Sequence, residues 1–323
     1  MRPAAWQLTR QTLVERTAAI AKHRAVFKRR RKAILVDGNN ILYHFYNPLC
    51  TNERDGEKSG AIEGMIGLLG RMDTMHRPQH ICVFFDKPQQ TTVRKVMDPT
   101  YKRNRRPTPR ALRPQLVSVT NVLQDVNVNC IACSGIEADD LIASYTESLH
   151  ARDFDVLVVS NDNDFLQLAR GQRRDAKEID APIEEEGPPG GYVEIYQPNK
   201  RRYLLERHMR SRYGVAPLQI PSFIALCGHP WGKIPRVNLM TDEIAVELLT
   251  KYESLPKLLR NLNEVEDPLL RKSLKQSISS IESSYRIAKL QNDLQLPIPI
   301  DELLIPDWHA ANPTTNINNP STE

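Results

Sequence analysis

Ala33-Ile-Leu-Val-Asp-Gly-Asn-Asn40 is the stretch on which the reading of the fold turns. Four apolar residues, half of them β-branched, run without a polar break and end directly on an aspartate. A short unbroken apolar run suits a strand covered on both faces. Ile81-Cys-Val-Phe-Phe-Asp86 and Val156-Val159 repeat the pattern, and Val128-Ala132 is a further strand candidate. Between them apolar residues recur at helical spacing, as in Ile62, Met65, Ile66 and Leu69 and again in Leu112, Leu116, Val119 and Leu123. Strands that alternate with helices predict an α/β fold with a parallel central sheet flanked by helices.

The 323 residues, 40% hydrophobic, are enough to bury a substantial core. That length predicts one large domain with an annex, or two modest domains. No run of about 18 apolar residues occurs, so a membrane partner is not expected. Five cysteines in a chain of this length do not make a disulfide framework. Cys130 and Cys133, in C-x-x-C spacing, are read as small residues of a buried segment. The net charge of +5 is modest, but the cations are clustered, which favours an anionic partner.

Residues 1–32 hold ten Lys or Arg against a single acid, Glu15. This composition resembles a mitochondrial targeting segment, and mitochondrial localisation is expected; a basic arm or a nuclear signal in Lys28 to Lys32 is the alternative. Residues 33–174 read as the α/β domain, with a basic, proline-interrupted stretch near 88–115. Between Arg94 and Arg113 eight Lys or Arg face one acid, Asp98. Such a stretch can clamp a single strand. Residues 175–191 form an acidic Gly/Pro loop, 192–300 a smaller C-terminal helical region, and 301–323 a tail expected to be disordered.

The acids fall in a pattern. Asp37 and Asp86 each follow a strand directly, and Asp162 and Asp164 come just after another. Glu137, Asp139 and Asp140 open a helix after a fourth. Ligands of an open parallel sheet bind beyond the carboxyl ends of its strands, so all seven acids are expected to converge. Clustered carboxylates repel one another unless cations neutralise them. Oxygen-only donors favour hard ions, Mg²⁺ or Mn²⁺, and two ions can hold the attacking and leaving oxygens of a phosphodiester in line.

At this point the sequence resembles the 5′-to-3′ exonuclease and flap endonuclease family of PIN-like fold, which includes the 5′ nuclease part of bacterial DNA polymerase I. The resemblance is carried in order by Leu35-Val-Asp-Gly-Asn-Asn40, Gly60-Ala-Ile-Glu-Gly64, Val83-Phe-Phe-Asp86, Tyr101-Lys102, Arg105, Ser134-Gly-Ile-Glu-Ala-Asp-Asp140 and Ser160-Asn-Asp-Asn-Asp164. It implies a first metal region of Asp37, Asp86, Glu137, Asp139 and Asp140, with Asp162 and Asp164 facing a second, weakly held ion. It also implies a catalytic basic pair, Lys102 and Arg105, on an arch, as in organellar structure-specific endonucleases. Tyr43 and Tyr46 match aromatic positions that stack a terminal base, core packing being equally open for them. Arg94, Lys95, Arg103, Arg106 and Arg110 complete the expected contacts to nucleic acid, whether a DNA flap, an RNA–DNA hybrid or RNA.

Residues 192–300 resemble the family's helix-turn-helix duplex-binding part, and within them the sequence departs from the family at Gly228-His-Pro-Trp-Gly-Lys-Ile-Pro-Arg-Val237. His229 and Gly232 stand where the family carries acids, and Glu243 stands where a lysine is usual. Two readings stay open: an active metal-dependent 5′ nuclease, and an impaired relative serving as a nucleic-acid-binding or structural subunit of an organellar ribonucleoprotein.

Overall fold

The computed structural model describes residues 31–47, 53–54, 57–58, 60–87, 91–99, 101–103, 107–171, 191–229 and 234–307. The basic segment 1–30, most of the acidic loop and the tail from 308 lie outside the described residues. Arg105, Arg106 and Gly232 lie outside them too.

The expected strands form. β1 (Lys32–Asp37), β2 (His80–Phe84), β3 (Asn129–Ile131) and β4 (Asp155–Val159) join β5 (Val193–Gln197) and β6 (Arg202–Leu204) in one sheet of order β3-β2-β1-β4-β5-β6. All neighbours are parallel except β5 and β6, which form an antiparallel edge. Residues 193–204 were expected to open the helical region and instead extend the sheet. Glu194 and Gln197 are themselves buried, so these residues read neither as an unbroken apolar run nor as a clean apolar-in, polar-out alternation.

Alternation along β1 explains why its run is apolar throughout. Ala33 and Leu35 enter one core, with Phe84, Val156, Val158 and Tyr145, while Ile34 and Val36 enter the other, with Val83, Val159, Met65 and Leu69. Successive side chains of a strand point to opposite faces, so a strand buried on both faces has no place for a polar residue.

Helices α1 (Gly38–Phe45), α2 (Gly60–His76) and α4 (Arg113–Gln124) cover the second core. Helix α5 (Ala138–His150) covers the first, together with α6 (Glu206–Tyr213), α7 (Ile220–Cys227), α8 (Asp242–Tyr252), α9 (Leu255–Arg260), α10 (Pro268–Gln276) and α11 (Ile278–Ala288). A short α3 (Val93–Met97) lies in the basic stretch. The C-terminal helices therefore share one continuous core with a face of the sheet.

Residues 301–307, expected to be disordered, are anchored. Leu303 is buried, and the Leu304 carbonyl accepts from His80 Nδ1 and from Asn129 Nδ2, each at 3.1 Å. Asn129 Oδ1 in turn accepts from Leu304 N at 2.9 Å. Two side chains from β2 and β3 thus hold this segment in place.

Candidate active site

The register of the sheet brings acids to one edge. Asp37 ends β1 opposite Phe84, so Asp86 lies two residues beyond the end of β2, and Val36 pairs with Val159 three residues before Asp162. A cleft of about 650 Å³ opens there. Asp37, Asp86, Glu137, Asp139 and Asp162 line it, with Asn39, Asn40, Tyr43, Lys95, Lys102 and Thr108 on the surrounding walls.

Three of the cleft aspartates, Asp37, Asp86 and Asp162, are fixed by local hydrogen bonds. Asp37 caps α1, its Oδ1 accepting from Asn40 N at 3.1 Å and its Oδ2 from Ser160 Oγ at 2.8 Å. Asp86 accepts from Ala138 N at 2.8 Å, at the start of α5. Asp162 accepts from Asp164 N at 3.0 Å, and its own N–H donates to Ser160 Oγ at 3.1 Å. Ser160 therefore ties Asp37 and Asp162 to one hydroxyl.

Electrostatics divides the acids into two sets. Burial pushes Asp37 up to about 6, with the charges of Asp162 and Asp86 adding to the effect and the Asn40 and Ser160 hydrogen bonds opposing it. Burial, then the Asp37 charge, raises Asp139 well above the usual carboxylate range, and Lys102 opposes this. Among the described residues no ion pair reaches Asp37, Asp86 or Asp162, and the Lys102 ammonium stands 3.7 Å from Asp139 Oδ2.

Glu137 and Asp140 are neutralised by the protein itself. Arg94 Nη1 donates to Glu137 Oε2 at 3.1 Å, and the guanidinium holds Asp140 with bonds of 2.6 and 2.7 Å. Glu137 also accepts from Lys102 Nζ at 2.9 Å and Thr92 Oγ1 at 2.9 Å. Burial works to raise Glu137, but the Lys102 and Arg94 charges outweigh it and leave the carboxyl below its ordinary value.

Several expectations are corrected here. Arg94, read as a contact to nucleic acid, is 5% exposed and bridges buried acids, so it is an internal counter-charge. Asp140 lies behind the cleft wall, where it also accepts from Gln291 N at 2.9 Å. Asp164 is not among the residues lining the cleft; it lies in the first turn of the short 3-10 helix Asn163–Leu168, which Asp162 caps. Tyr46 packs half-buried against the second core. Tyr43 is 42% exposed and lines the cleft, its hydroxyl donating to Thr108 Oγ1 at 2.8 Å. Lys95, Arg103 and Arg110 are exposed on the basic stretch. Sequence reasoning missed Asn39 and Asn40, whose signal was only their position beside Asp37, and Thr92, which lies 45 residues from the Glu137 it bonds and carries no local signal.

Among the described residues no three His, Cys, Asp or Glu side chains are gathered into a ready cage for an ion. The donor set nevertheless fits a hard divalent cation that keeps much of its water shell. Asp37, Asp86, Asp139 and Asp162 offer oxygen only, line one cleft and hold raised or uncompensated charge. Glu137 and Asp140 do not fit, because Arg94 and Lys102 already satisfy them.

The model described as 5′-3′ exonuclease, N-terminal resolvase-like domain, matches residues 32–186, and that described as 5′-3′ exonuclease, C-terminal SAM fold, matches residues 215–311. The chain belongs to the 5′-3′ exonuclease family. It is 29% identical over 276 residues to DNA polymerase I of Bacillus subtilis, covering 85% of this chain and 29% of that protein. It is 26% identical over 274 residues to a 5′-3′ exonuclease of Aquifex aeolicus, covering 84% of this chain and 86% of the relative. The chain thus spans about three-tenths of the polymerases it matches. Its fold is similar to that of the T5 D15 protein co-crystallized with metal ions, with a TM-score of 0.62 at 18% identity over 81% of this chain and 90% of that one.

Proposed function

We propose that this family member is a divalent-metal-dependent 5′ nuclease that hydrolyses phosphodiesters near a 5′ end or a single-to-double-strand junction. The observation that carries the reading is the set of four aspartates around one cleft, with no arginine or lysine among the described residues neutralising Asp37, Asp86 or Asp162. Four like charges in one cleft ask for a cation. Mg²⁺ or Mn²⁺ fits the oxygen donors better than Zn²⁺. Bound there, such a cation lowers the pKa of a bound water and offsets charge on the reacting phosphate. Two ions, the second more weakly held by Asp162, remain part of this proposal.

The protein's own residues supply the rest. Lys102 lies between Glu137 and Asp139, where its ammonium can meet a phosphate oxygen at the cleft. Arg105 is proposed as its partner on the basic stretch. Tyr43 presents a partly exposed ring in the cleft lining, suited to stack on a terminal base. Lys95, Arg103, Arg106 and Arg110 add positive charge along the strand's path. A DNA flap is the favoured substrate, since crystal structures of fold relatives include the T5 D15 flap endonuclease with DNA and metal ions. An RNA–DNA hybrid is the second, which would suit removal of RNA primers. Mitochondrial import through the basic segment 1–32 is proposed from composition alone.

One observation favours the alternative of an impaired, nucleic-acid-binding subunit: Lys102 and Arg94 already neutralise Glu137 and Asp140, so the cleft has fewer open ligands than its sequence implies. The two readings separate when 5′-labelled flap, hybrid and single-stranded RNA substrates are incubated with Mg²⁺, Mn²⁺ or a chelator. Metal-dependent release of a short 5′ product from the flap supports the nuclease; retention of every substrate with intact binding supports the subunit.

A further inference from the structure

Three lysines line the cleft, Lys87, Lys95 and Lys102, and they are not equivalent. Lys102 is committed to the protein's own acids: its ammonium donates to Glu137 Oε2 at 2.9 Å and stands 3.7 Å from Asp139 Oδ2. Lys95 is also partnered within the protein. Lys87 differs from both. It is exposed, and among the described residues its ammonium makes no ion pair, although Asp86 precedes it in the chain. Its hydrogen bond goes to a neutral group, Ser134 Oγ, at 3.3 Å. Lys87 lies outside the cations counted from Arg94 to Arg113 and outside the pair Lys102 and Arg105.

The end of β2 places this lysine. Asp86 accepts from Ala138 N at 2.8 Å, so the segment leaving β2 runs beside the turn that opens α5. One residue further on, Lys87 bonds to Ser134, which precedes Glu137 in that turn. The same two segments are thus crossed twice, once through a cleft acid and once through a cation paired with a hydroxyl. Ser134 is exposed, and its oxygen accepts from Lys87, which leaves its own O–H to donate. Two donors whose heavy atoms lie 3.3 Å apart suit two oxygens of one phosphate. Lysine serves such sites as a point charge, and serine hydroxyls join it in positioning nucleic-acid backbones.

We propose that Lys87, with the Ser134 hydroxyl, holds the backbone phosphate next to the scissile one on the strand that enters the cleft. This rests on the nuclease reading for which phosphate is scissile, but not for the phosphate contact itself. The neighbouring phosphate is assigned because the four aspartates and the cation proposed for them serve the scissile group, with Lys102 beside Asp139. Lys87 follows Asp86 and bonds to Ser134 instead of to an acid, so its charge is available one step outside that centre. A contact to a phosphate that does not react is equally strong in the ground state and the transition state. It sets register and affinity without speeding the chemical step.

The test uses the full chain and a 5′-labelled DNA flap. In Mg²⁺, Lys87→Ala raises KM by about three- to tenfold and leaves kcat within about twofold, and Lys87→Arg, which keeps the charge, restores KM. In chelator, fluorescence anisotropy across a salt series shows the slope of log K against log salt reduced by about 1 in Lys87→Ala. Ser134→Ala weakens binding with the slope unchanged, since it removes no charge. Arg152→Ala, which removes a cation between α5 and β4 at the opposite edge of the sheet, changes neither quantity. A flap carrying an uncharged methylphosphonate on one side or the other of the scissile linkage locates the contact: at one of the two positions, wild type and Lys87→Ala bind alike. Unchanged KM and slope in Lys87→Ala overturn the proposal. So does a fall in kcat with KM unchanged, or the same loss on both substituted flaps as on the unmodified one. A wild-type chain that cleaves nothing, while Lys87→Ala still lowers the slope, removes the nuclease reading and leaves the phosphate contact standing.

Discussion

Arg94 holds Asp140 with two parallel hydrogen bonds, Nη1 to Oδ2 at 2.6 Å and Nη2 to Oδ1 at 2.7 Å, and both side chains are about 6% exposed. The same guanidinium donates from Nε to the Ile287 carbonyl and from Nη2 to the Lys289 carbonyl, each at 3.0 Å. One residue of the basic stretch is thereby fastened to α5 and to the end of α11. Breaking a buried pair leaves an uncompensated charge, so Arg94→Ala should cost about 3–5 kcal/mol of folding stability. Urea unfolding measures it. A loss under about 1 kcal/mol contradicts the structural role assigned to Arg94.

Asp139 should behave in the opposite way to its neighbour. It is already disfavoured as an anion by burial and by Asp37. In chelator at neutral pH, Asp139→Ala should leave the unfolding midpoint unchanged or raise it, whereas Asp140→Ala lowers it by several degrees. The pair of melting curves decides which of two adjacent acids belongs to the fold and which to the cleft.

The raised value of Asp37 has a sign that can be checked. Its folded value, about 6, lies above the ordinary 3.8, so the folded protein binds more protons than the unfolded chain between those values. Metal-free stability from this group is therefore present at low pH and lost as pH rises from about 4 to 6, by up to about 3 kcal/mol. Asp37→Asn should flatten that part of the profile. Divalent cation should restore stability above pH 6 in the wild type but less in the variant. Glu137 works in the other direction, since its depressed value contributes stability that is lost on acidification.

Much of this site was legible because its acids follow strands, and strands buried on both faces announce themselves as apolar runs. Ala33–Val36 and Val156–Val159 located the sheet edge, and Asp37, Asp86 and Asp162 followed from it. What the sequence could not tell was which acids would be paired internally. Arg94 lies 43 residues from Glu137 and 46 from Asp140 along the chain, so no local spacing links them. In a basic stretch it looks like its exposed neighbours Lys95 and Arg103. The edge strands β5 and β6 were hidden for a related reason: their burial depends on partners distant in sequence, and their own alternation includes the buried polar residues Glu194 and Gln197.

Asn40, on the cleft wall, supports Asp162 through its two bonds to Asn161. Asn40→Ala removes the acceptor for two bonds, and outer-shell losses of this kind typically cost about 10- to 100-fold in metal affinity. The Mg²⁺ concentration giving half-maximal cleavage should rise in that range, with the rate at saturating Mg²⁺ little changed. Asn40→Asp, which keeps the acceptor oxygen, should recover most of the loss. Equal rates at saturating and limiting Mg²⁺ would contradict a positioning role.

The most direct test of the account is cleavage of a 5′-labelled flap by the purified chain in Mg²⁺, beside Asp139→Ala with binding to the same flap measured in chelator. The account predicts a short labelled product from the wild type, none in chelator, and a loss of at least about a thousandfold in Asp139→Ala with binding retained. Equal inactivity of wild type and variant, with the flap still bound, would contradict it and leave the chain a nucleic-acid-binding protein on a nuclease fold.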